Sequence, residues 1–285
     1  MELILGHNQF IGISHISDER SREREKKFSD VKNIYKIVET AAKIGYHGMI
    51  IETHPRMLDF LEYYKQNKTF DMEFYLQLPY VQGYIQKMNE NGLISLVRDI
   101  FHRSGLKNTS IMAIKNIANL SKKDFFSLAI SFLELEIMPF IDLNIKTVLL
   151  HNVFTDIFLS LELSDFIKTY IDYMKDTIGL NPGFITLNFD LFQRSFDQWN
   201  IKHPLVMTPI NPGGFDMNPS KTSVELAIKK YRGEIIAMNI LGGGAFSVNE
   251  TYKYFRSLEK LNFCVVGASS KTHLQELIEV FSGGK

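Results

Sequence analysis

Short, continuous runs of apolar residues recur along the chain, and most of them precede a segment with a helical apolar period. The runs are rich in β-branched residues and show little alternation of apolar and polar positions, which is typical of parallel strands covered on both faces. The sequence predicts eight strands: Leu3–Gly6, Met49–Thr53, Glu73–Leu78, Lys146–His151, Phe184–Phe189, Leu205–Pro209, Glu234–Leu241 and Phe263–Gly267.

The segments between these strands carry apolar stripes that predict crossover helices. In the segment Val31–Ile44 the stripe consists of Ile34, Ile37, Val38 and Ala41, which share one face of a helix. Eight strand–helix pairs in one chain predict an α/β fold, a (β/α)8 barrel. Four further helices are predicted at Asp165–Ile178, Ser223–Tyr231, Ser247–Leu261 and Thr272–Phe281.

One interval, residues 79–145, is too long for a single crossover helix. Helices are predicted near Tyr84–His102 and Lys123–Ile141, and the run Ser110–Ile114 is either a further strand or part of an insertion. We favour an insertion between strands three and four. No linker, repeat or low-complexity tract divides the chain, so residues 1–285 are expected to form one domain.

The balance of charges and the single cysteine exclude several classes of ligand. The chain has 32 basic and 32 acidic residues, whereas a general nucleic-acid binder needs a basic surplus. Its one cysteine, Cys264, excludes an intramolecular disulfide and a cysteine-rich zinc site. The most apolar stretch, Phe125 to Ile145, contains charged residues and a proline. The sequence predicts a soluble cytoplasmic protein that binds a small anionic molecule, without a signal peptide or membrane span.

The predicted strand ends carry candidate catalytic residues, because a barrel of this kind places its chemistry where strands end. Glu52 and His54 are two residues apart and would share a face, so that the carboxylate could orient the imidazole. Gln77 and His151 end the next two strands and could complete an acid–base set. Glu52, His54 and His151 could instead hold a divalent metal, although no compact metal-binding motif is present.

Two glycine-containing segments predict an anion site. Gly242, Gly243 and Gly244 follow strand seven, and Gly267 to Lys271 follow strand eight, where barrels often bind phosphate through backbone N–H groups and a helix N-terminus. Ser269 or Ser270 would cap the final helix and Lys271 would add positive charge. The alternative is an ordinary turn and helix cap.

Other polar residues near the strand ends are candidate substrate contacts. An arginine from the mixed-charge run Arg20–Lys27 in the first loop could also reach an anionic substrate, although such a run is typical of a solvated surface. The candidate substrate-binding residues are His7, Asn8, His15, Asn152, Thr208, Asn211 and Asn239.

The second half of the chain, from Lys146 to Phe281, resembles the aldo-keto reductase superfamily. The matching motifs are the strand-four sequence LLHN at 149–152, LNF at 187–189, ILGGG at 240–244 and VVGASSKTHL at 265–274. The resemblance implies a (β/α)8 barrel and an NADP(H) site that includes Asn188, the three glycines, Gly267, Ser269, Ser270 and Lys271.

The resemblance breaks at the catalytic residues of that family, which are aspartate, tyrosine, lysine and histidine. Glu52 lies near the aspartate position and His151 corresponds to the histidine, but Met57 replaces the tyrosine and Gln77 the lysine. Thr208 stands where the family has a glutamine that holds the nicotinamide amide, and the stacking tyrosine after strand six is missing. Tyrosine supplies the proton that accompanies hydride transfer, so the usual acid is absent. Tyr80 is a possible substitute.

Three functions follow from these residues. The leading hypothesis is an isomerase or lyase that uses acid–base chemistry on a small polar carbonyl, sugar-like or phosphorylated metabolite. The second is an NADP(H)-dependent aldo-keto-type oxidoreductase with an altered proton donor. The third is a barrel that binds a ligand without turnover.

Overall fold

The computed structural model describes residues 1–13, 17–81, 125–258 and 260–282, and its strands form a closed parallel barrel. Each strand is hydrogen-bonded to the next along the chain, and the last pairs with the first. The eight strands are β1 (Glu2–Leu5), β2 (Gly48–Ile51), β3 (Glu73–Leu78), β4 (Ile145–Leu150), β5 (Pro182–Ile185), β6 (Leu205–Pro209), β7 (Ile235–Met238) and β8 (Phe263–Val266). The predicted (β/α)8 barrel is confirmed.

Helices surround this barrel. Short 3₁₀ turns occur at Met138–Phe140 and Gly242–Gly244, and a π-helical turn, Tyr173–Ile178, extends one helix. The α-helices are α1 (Asp18–Lys27), α2 (Val31–Ile44), α3 (Pro55–Asn67), α4 (Phe125–Ile137), α5 (Asn152–Ser160), α6 (Ser164–Asp172), α7 (Phe189–Gln198), α8 (Lys221–Lys230), α9 (Val248–Arg256) and α10 (Lys271–Ser282).

A ring of apolar side chains fills the interior of the barrel, with one member from each strand. Because side chains alternate along a strand, the residue two positions later on the same strand also points inward. The ring therefore determines which residues reach the mouth of the barrel above it. Its members are Ile4, Ile50, Tyr75, Leu149, Ile185, Met207, Ile236 and Phe263.

A second apolar layer lies between the strands and the helices. Phe184 on β5 packs against Phe192 and Phe196 on α7, with ring centroids 5.6 and 5.4 Å apart. On the neighbouring helix α6, the Tyr170 hydroxyl donates a hydrogen bond to the carbonyl oxygen of Val148, at 2.8 Å. These contacts hold the helices against the barrel and give the strand ends a rigid support.

The interval between β3 and β4 contains α4, which corresponds to the helix predicted near Lys123–Ile141. The predicted helix Tyr84–His102 and the undecided run Ser110–Ile114 lie outside the described residues. Among the residues that are described, no helix is both long enough and apolar enough to cross a bilayer.

Several predicted strands extend beyond the observed ones at their carboxyl ends. The predicted strand Phe184–Phe189, for example, corresponds to Pro182–Ile185. Thr186 and Asn188 instead make local hydrogen bonds that turn the chain into α7, because the Thr186 hydroxyl accepts from the Asn188 N–H and the Asn188 side chain accepts from the Leu191 N–H. Side-chain bonds of this kind compete with strand pairing.

Gly183 tests the packing of the barrel interior. An alanine Cβ at this position would lie 2.7 Å from Cγ2 of Thr147 and 2.8 Å from Cδ2 of Leu149. Gly183→Ala should therefore reduce the free energy of unfolding by about 1–3 kcal/mol, the usual cost of overpacking. Urea denaturation measures this loss.

Gly6→Ala is the matched control, because the nearest contact of its Cβ, Cγ2 of Val265, would be an ordinary 3.4 Å away. It should leave the free energy of unfolding unchanged or slightly higher. Equal losses in the two variants would contradict the interior packing described here.

Candidate active site at the barrel mouth

The inward-facing alternation continues above the interior ring on three neighbouring strands. Two positions after the ring members Ile50, Tyr75 and Leu149, the inward-facing residues are Glu52, Gln77 and His151, respectively. Glu52, Gln77 and His151 accordingly line one cavity of about 750 Å³ at the mouth of the barrel. This volume lies within the range of small-molecule and cofactor sites, about 300–1,000 Å³.

A buried carboxylate lies at the centre of this group. Oε1 of Glu52 is 3.3 Å from Nε2 of His7, and Oε2 accepts a hydrogen bond from Nε2 of Gln77 at 3.4 Å. Both Glu52 and His7 are 4% exposed. A carboxylate removed from water needs such partners. The three side chains therefore form a connected group, the mouth triad of His7, Glu52 and Gln77.

His151 lies beside the mouth triad with its ring orientation defined by the backbone. Its Nδ1 accepts a hydrogen bond from the N–H of Val153, at 3.2 Å, and caps α5. The proton of the neutral ring therefore sits on Nε2. Burial lowers the pKa of His151 and outweighs the opposing effect of Glu52, while His7 lowers it further. At neutral pH His151 is an uncharged imidazole that offers an Nε2–H donor.

His54 does not join this group, although the sequence predicted that it would share a face with Glu52. Strand β2 ends at Ile51, so the strand alternation, which still places the adjacent Glu52, no longer applies at His54, three residues beyond the strand. The His54 Nδ1 accepts from the Arg56 N–H and caps α3, and its ring packs edge-on against Tyr80 with centroids 5.3 Å apart. His54 is absent from the cavity lining.

The alternative of a divalent metal held by Glu52, His54 and His151 has no support. The capping bond directs His54 toward its own helix. Within the described ranges, no group of three or more histidine, cysteine, aspartate or glutamate side chains is arranged to hold a metal ion.

The glycine segments lie on the other side of the mouth. Gly242, Gly243 and Gly244 form a 3₁₀ turn with φ of 55°, 69° and 94°, and they line the cavity. These positive φ angles favour glycine, and the missing side chains leave the backbone accessible to a ligand. Gly267 also lines the cavity, and a Cβ there would lie 2.6 Å from Oε1 of Gln9.

The residues after Gly267 form the start of the last helix. The Ser270 hydroxyl accepts a hydrogen bond from the His273 N–H at 3.3 Å, and Lys271 is the first residue of α10. The Ser269 carbonyl oxygen accepts from Nζ of Lys27, at 2.7 Å. Ser269, Ser270 and Lys271 do not line the cavity, so this predicted phosphate contact lies at its edge.

The remaining candidate residues divide into two groups. Asn8, Asn152 and Asn239 line the cavity, as does His7 of the mouth triad. Asn188, Thr208 and Asn211 do not: Asn188 caps α7, Thr208 is buried, and Asn211 exchanges hydrogen bonds with the backbone of Phe215. His15 lies outside the described residues.

Asn239 supports the mouth as well as lining it. Its side chain donates to Oδ2 of Asp216 at 3.2 Å and accepts from the N–H of Gly243 at 3.1 Å. Asn239 and Asp216 both have positive φ, 52° and 60°, a strained conformation for residues other than glycine. The pair ties the loop after β6 to the glycine turn after β7.

The other residues that line the cavity include Arg24, Tyr80, Phe215 and Asp216. Arg24 belongs to the mixed-charge run Arg20–Lys27, from which the sequence offered an arginine for an anionic substrate, and Tyr80, the candidate substitute proton donor, follows β3 by two residues. Phe215 is 58% exposed, so a large apolar ring stands uncovered at the mouth. The turn sequence NPGGFD at 211–216 could have indicated that Phe215 and Asp216 lie on a loop at the mouth.

Solved structures of proteins described as aldo-keto reductases are similar to this barrel. A "putative aldo-keto reductase" from Pseudomonas aeruginosa is 13% identical, with 99% of this chain and 90% of that chain covered and a TM-score of 0.56. An aldo/keto reductase from Brucella melitensis is 12% identical, with coverage of 98% and 88% and a TM-score of 0.50. The chain shares the (β/α)8 barrel fold of these proteins.

Other comparisons add little to this likeness. A "putative 2,5-diketo-D-gluconic acid reductase B" is 8% identical, with 98% of this chain and 81% of that chain covered and a TM-score of 0.50. No protein-family model and no curated protein matches the chain. The three structures named here are described as reductases, so the leading hypothesis of an isomerase or lyase gains no support from them.

The structure also shows how this barrel departs from the reductase pattern that the resemblance implies. Met57, at the tyrosine position, is fully buried within α3, and Gln77, at the lysine position, binds Glu52. Glu52 and His151 lie at the mouth, and His7 is a partner of Glu52. The groups that can exchange a proton therefore differ from the family's.

The lowered pKa of His151 predicts how stability depends on pH. The unfolded chain takes up a proton on this residue near pH 6.5, about the ordinary value for histidine, whereas the folded protein takes it up only at lower pH. The free energy of unfolding should therefore decrease as the pH falls through about 6.5. Denaturant titrations at pH values on either side measure this decrease.

His151→Asn should show a smaller decrease over the same pH interval. Asparagine does not titrate, and it is a favourable helix cap, so that α5 keeps its first turn. Identical pH dependence in the wild type and the variant would mean that His151 does not resist protonation in the folded state.

Proposed function

We propose that this protein is an NADP(H)-dependent oxidoreductase that interconverts a small polar carbonyl compound and its alcohol. The observation that supports this most strongly is the cavity itself. One space at the barrel mouth is bordered by the mouth triad and His151 on one side and by the glycine turn and Gly267 on the other. The shared fold with aldo-keto reductases points in the same direction.

The residues around the cavity fit a nicotinamide dinucleotide. The glycine turn exposes backbone to phosphate groups, and Lys27 and the start of α10 add positive charge nearby. Phe215 offers an uncovered aromatic face to a planar ring. The bound cofactor would supply or accept the hydride at the substrate carbon.

His151 would act on the carbonyl oxygen. Its Nε2–H can donate a hydrogen bond there, and negative charge grows on that oxygen as the carbon is reduced. A donor held by a capped helix needs little rearrangement to stabilise this charge. A neutral ring keeps this role at neutral pH.

The pair of His7 and Glu52 would exchange the proton that balances hydride transfer. In reduction, the His7 imidazole would pass a proton to the substrate oxygen, and in oxidation it would accept one. Glu52 orients the ring, because its Oε1 lies 3.3 Å from Nε2 of His7. Gln77 holds the second oxygen of Glu52 and keeps the carboxylate in place.

Substitution of His151 tests this function. Against a panel of small aldehydes, ketones and keto acids, the wild type should oxidise NADPH, which is followed by its absorbance. His151→Asn should lower kcat by about 100-fold, as expected when one donor to a developing oxyanion is lost. It should remain as stable as the wild type at neutral pH because the helix cap is retained. His151→Ala should lose both activity and about 1 kcal/mol of stability.

His54→Asn is the matched control. His54 caps α3 as His151 caps α5, but it does not line the cavity. The variant should retain most of the wild-type kcat. Unchanged activity in His151→Asn, or equal losses in His54→Asn and His151→Asn, would overturn the assignment of His151 as the carbonyl-binding donor.

A further inference from the structure

Arg24 is a cation inside the mouth of the barrel. It lies on α1, is half-buried, and lines the same cavity as His7, Glu52 and His151. Its Nη1 donates a hydrogen bond to the carbonyl oxygen of Ile13 at 2.8 Å. This bond ties the guanidinium to the loop after β1 and aligns it with the cavity wall.

Arg24 has no acidic partner in the described part of the chain. Three other arginines do: Arg56 lies 3.8 Å from Glu25, Arg194 lies 2.9 Å from Asp190, and Arg232 lies 2.8 Å from Asp197. No carboxylate oxygen among the described residues comes within 4.0 Å of the Arg24 guanidinium.

An arginine in this situation is suited to binding an anion. Burial lowers the pKa of Arg24, which indicates that the charge has lost part of its hydration, yet an arginine in a protein stays protonated. A guanidinium carries five N–H donors in a planar fork that matches a carboxylate or a phosphate. The bond to Ile13 accounts for one donor. An anionic ligand would compensate the partly desolvated charge.

We propose that Arg24 binds an anionic group of the substrate, a carboxylate or a phosphate, so that the substrates are small anionic carbonyl compounds such as 2-keto acids. This inference rests on the proposed oxidoreductase function for the carbonyl chemistry. Glu52 would repel the same anionic group, which favours a substrate whose carbonyl faces the mouth triad and whose anion faces Arg24. The phosphate groups of a dinucleotide are a second possible source of an anion for Arg24. The experiment below distinguishes a substrate anion from a cofactor phosphate.

The experiment compares the wild type with Arg24→Gln, Arg24→Lys and Arg20→Gln. Arg20 is an exposed arginine one turn earlier on α1 and serves as the control for loss of charge from that helix. Dissociation constants for pyruvate, inorganic phosphate, acetone and NADPH are measured by ligand-dependent shifts in Tm. Melting without ligand reports whether each variant is folded.

Pyruvate should bind the wild type and Arg20→Gln with equal affinity. Arg24→Gln should weaken pyruvate binding by about tenfold or more, the usual range for a hydrogen bond to a charged group, and leave acetone and NADPH unaffected. Arg24→Lys should weaken it less, because it keeps the charge and loses the planar fork. Added salt should weaken pyruvate binding to the wild type more than to Arg24→Gln.

Three results would overturn the inference. The first is unchanged pyruvate affinity in Arg24→Gln, and the second is a wild type that neither pyruvate nor phosphate stabilises. The third is a loss confined to NADPH, which would assign Arg24 to the cofactor phosphates. Failure of the proposed function has a different signature: NADPH would neither bind nor be oxidised, while pyruvate binding would still depend on Arg24.

Discussion

The geometry of the barrel mouth depends on the pairing of one buried carboxylate. Glu52 is almost fully removed from water, and an isolated charge in that position would cost several kcal/mol. His7 and Gln77 each contact one of its oxygens, so the pairing joins the ends of β1, β2 and β3. The same requirement that keeps the carboxylate paired also presents an imidazole and an amide to the cavity. Stability and chemistry at the mouth therefore rest on the same contacts.

The two ends of the barrel use charged groups differently. At the opposite end, Nδ1 and Nε2 of His47 each lie 3.0 Å from a carboxylate oxygen, of Glu2 and Glu73 respectively. This cluster connects the starts of β1, β2 and β3, where charged residues of a barrel usually serve stability. At the mouth, the polar side chains of the mouth triad and of His151 line the cavity instead. The interior ring of eight apolar side chains separates the two ends.

Much of the fold could be predicted from the sequence because buried parallel strands produce continuous apolar runs. The bounds of β3 and β6 match the prediction, and so do those of α2. Helix α3 was missed although Pro55 occupies its first turn, a position that favours proline, because its cap is His54 and histidine is not among the common capping residues. The strand ends were extended too far where polar side chains turned the backbone into the next helix.

The catalytic part of the site was predictable where the alternation of a strand places a residue, and the glycine turn after β7 was predictable from its three consecutive glycines. Glu52, Gln77 and His151 follow directly from the inward face of their strands. Glu52 and His151 directly follow the last residues of β2 and β4, whereas His54 lies three residues beyond the end of β2, so the same rule misplaced it. The pairing of His7 with Glu52 depends on how β1 sits against β2, which no local pattern encodes. The sequence offered an arginine from the run Arg20–Lys27, but that Arg24 is the one at the cavity depends on how α1 sits against the barrel. The hydrogen bond between Asn239 and Asp216 likewise depends on how two separate loops pack together, which the sequence does not show.

The most direct test of this account is a calorimetric titration of the wild-type protein with NADPH, since every catalytic role assigned above requires a nicotinamide dinucleotide in the mouth. The account predicts saturable binding of one NADPH per chain, with a Kd no weaker than about 1 mM, the upper end of the usual range of KM for enzyme substrates. No saturable binding of NADPH up to about 1 mM would contradict the oxidoreductase function and leave a barrel that uses the same polar residues for other chemistry.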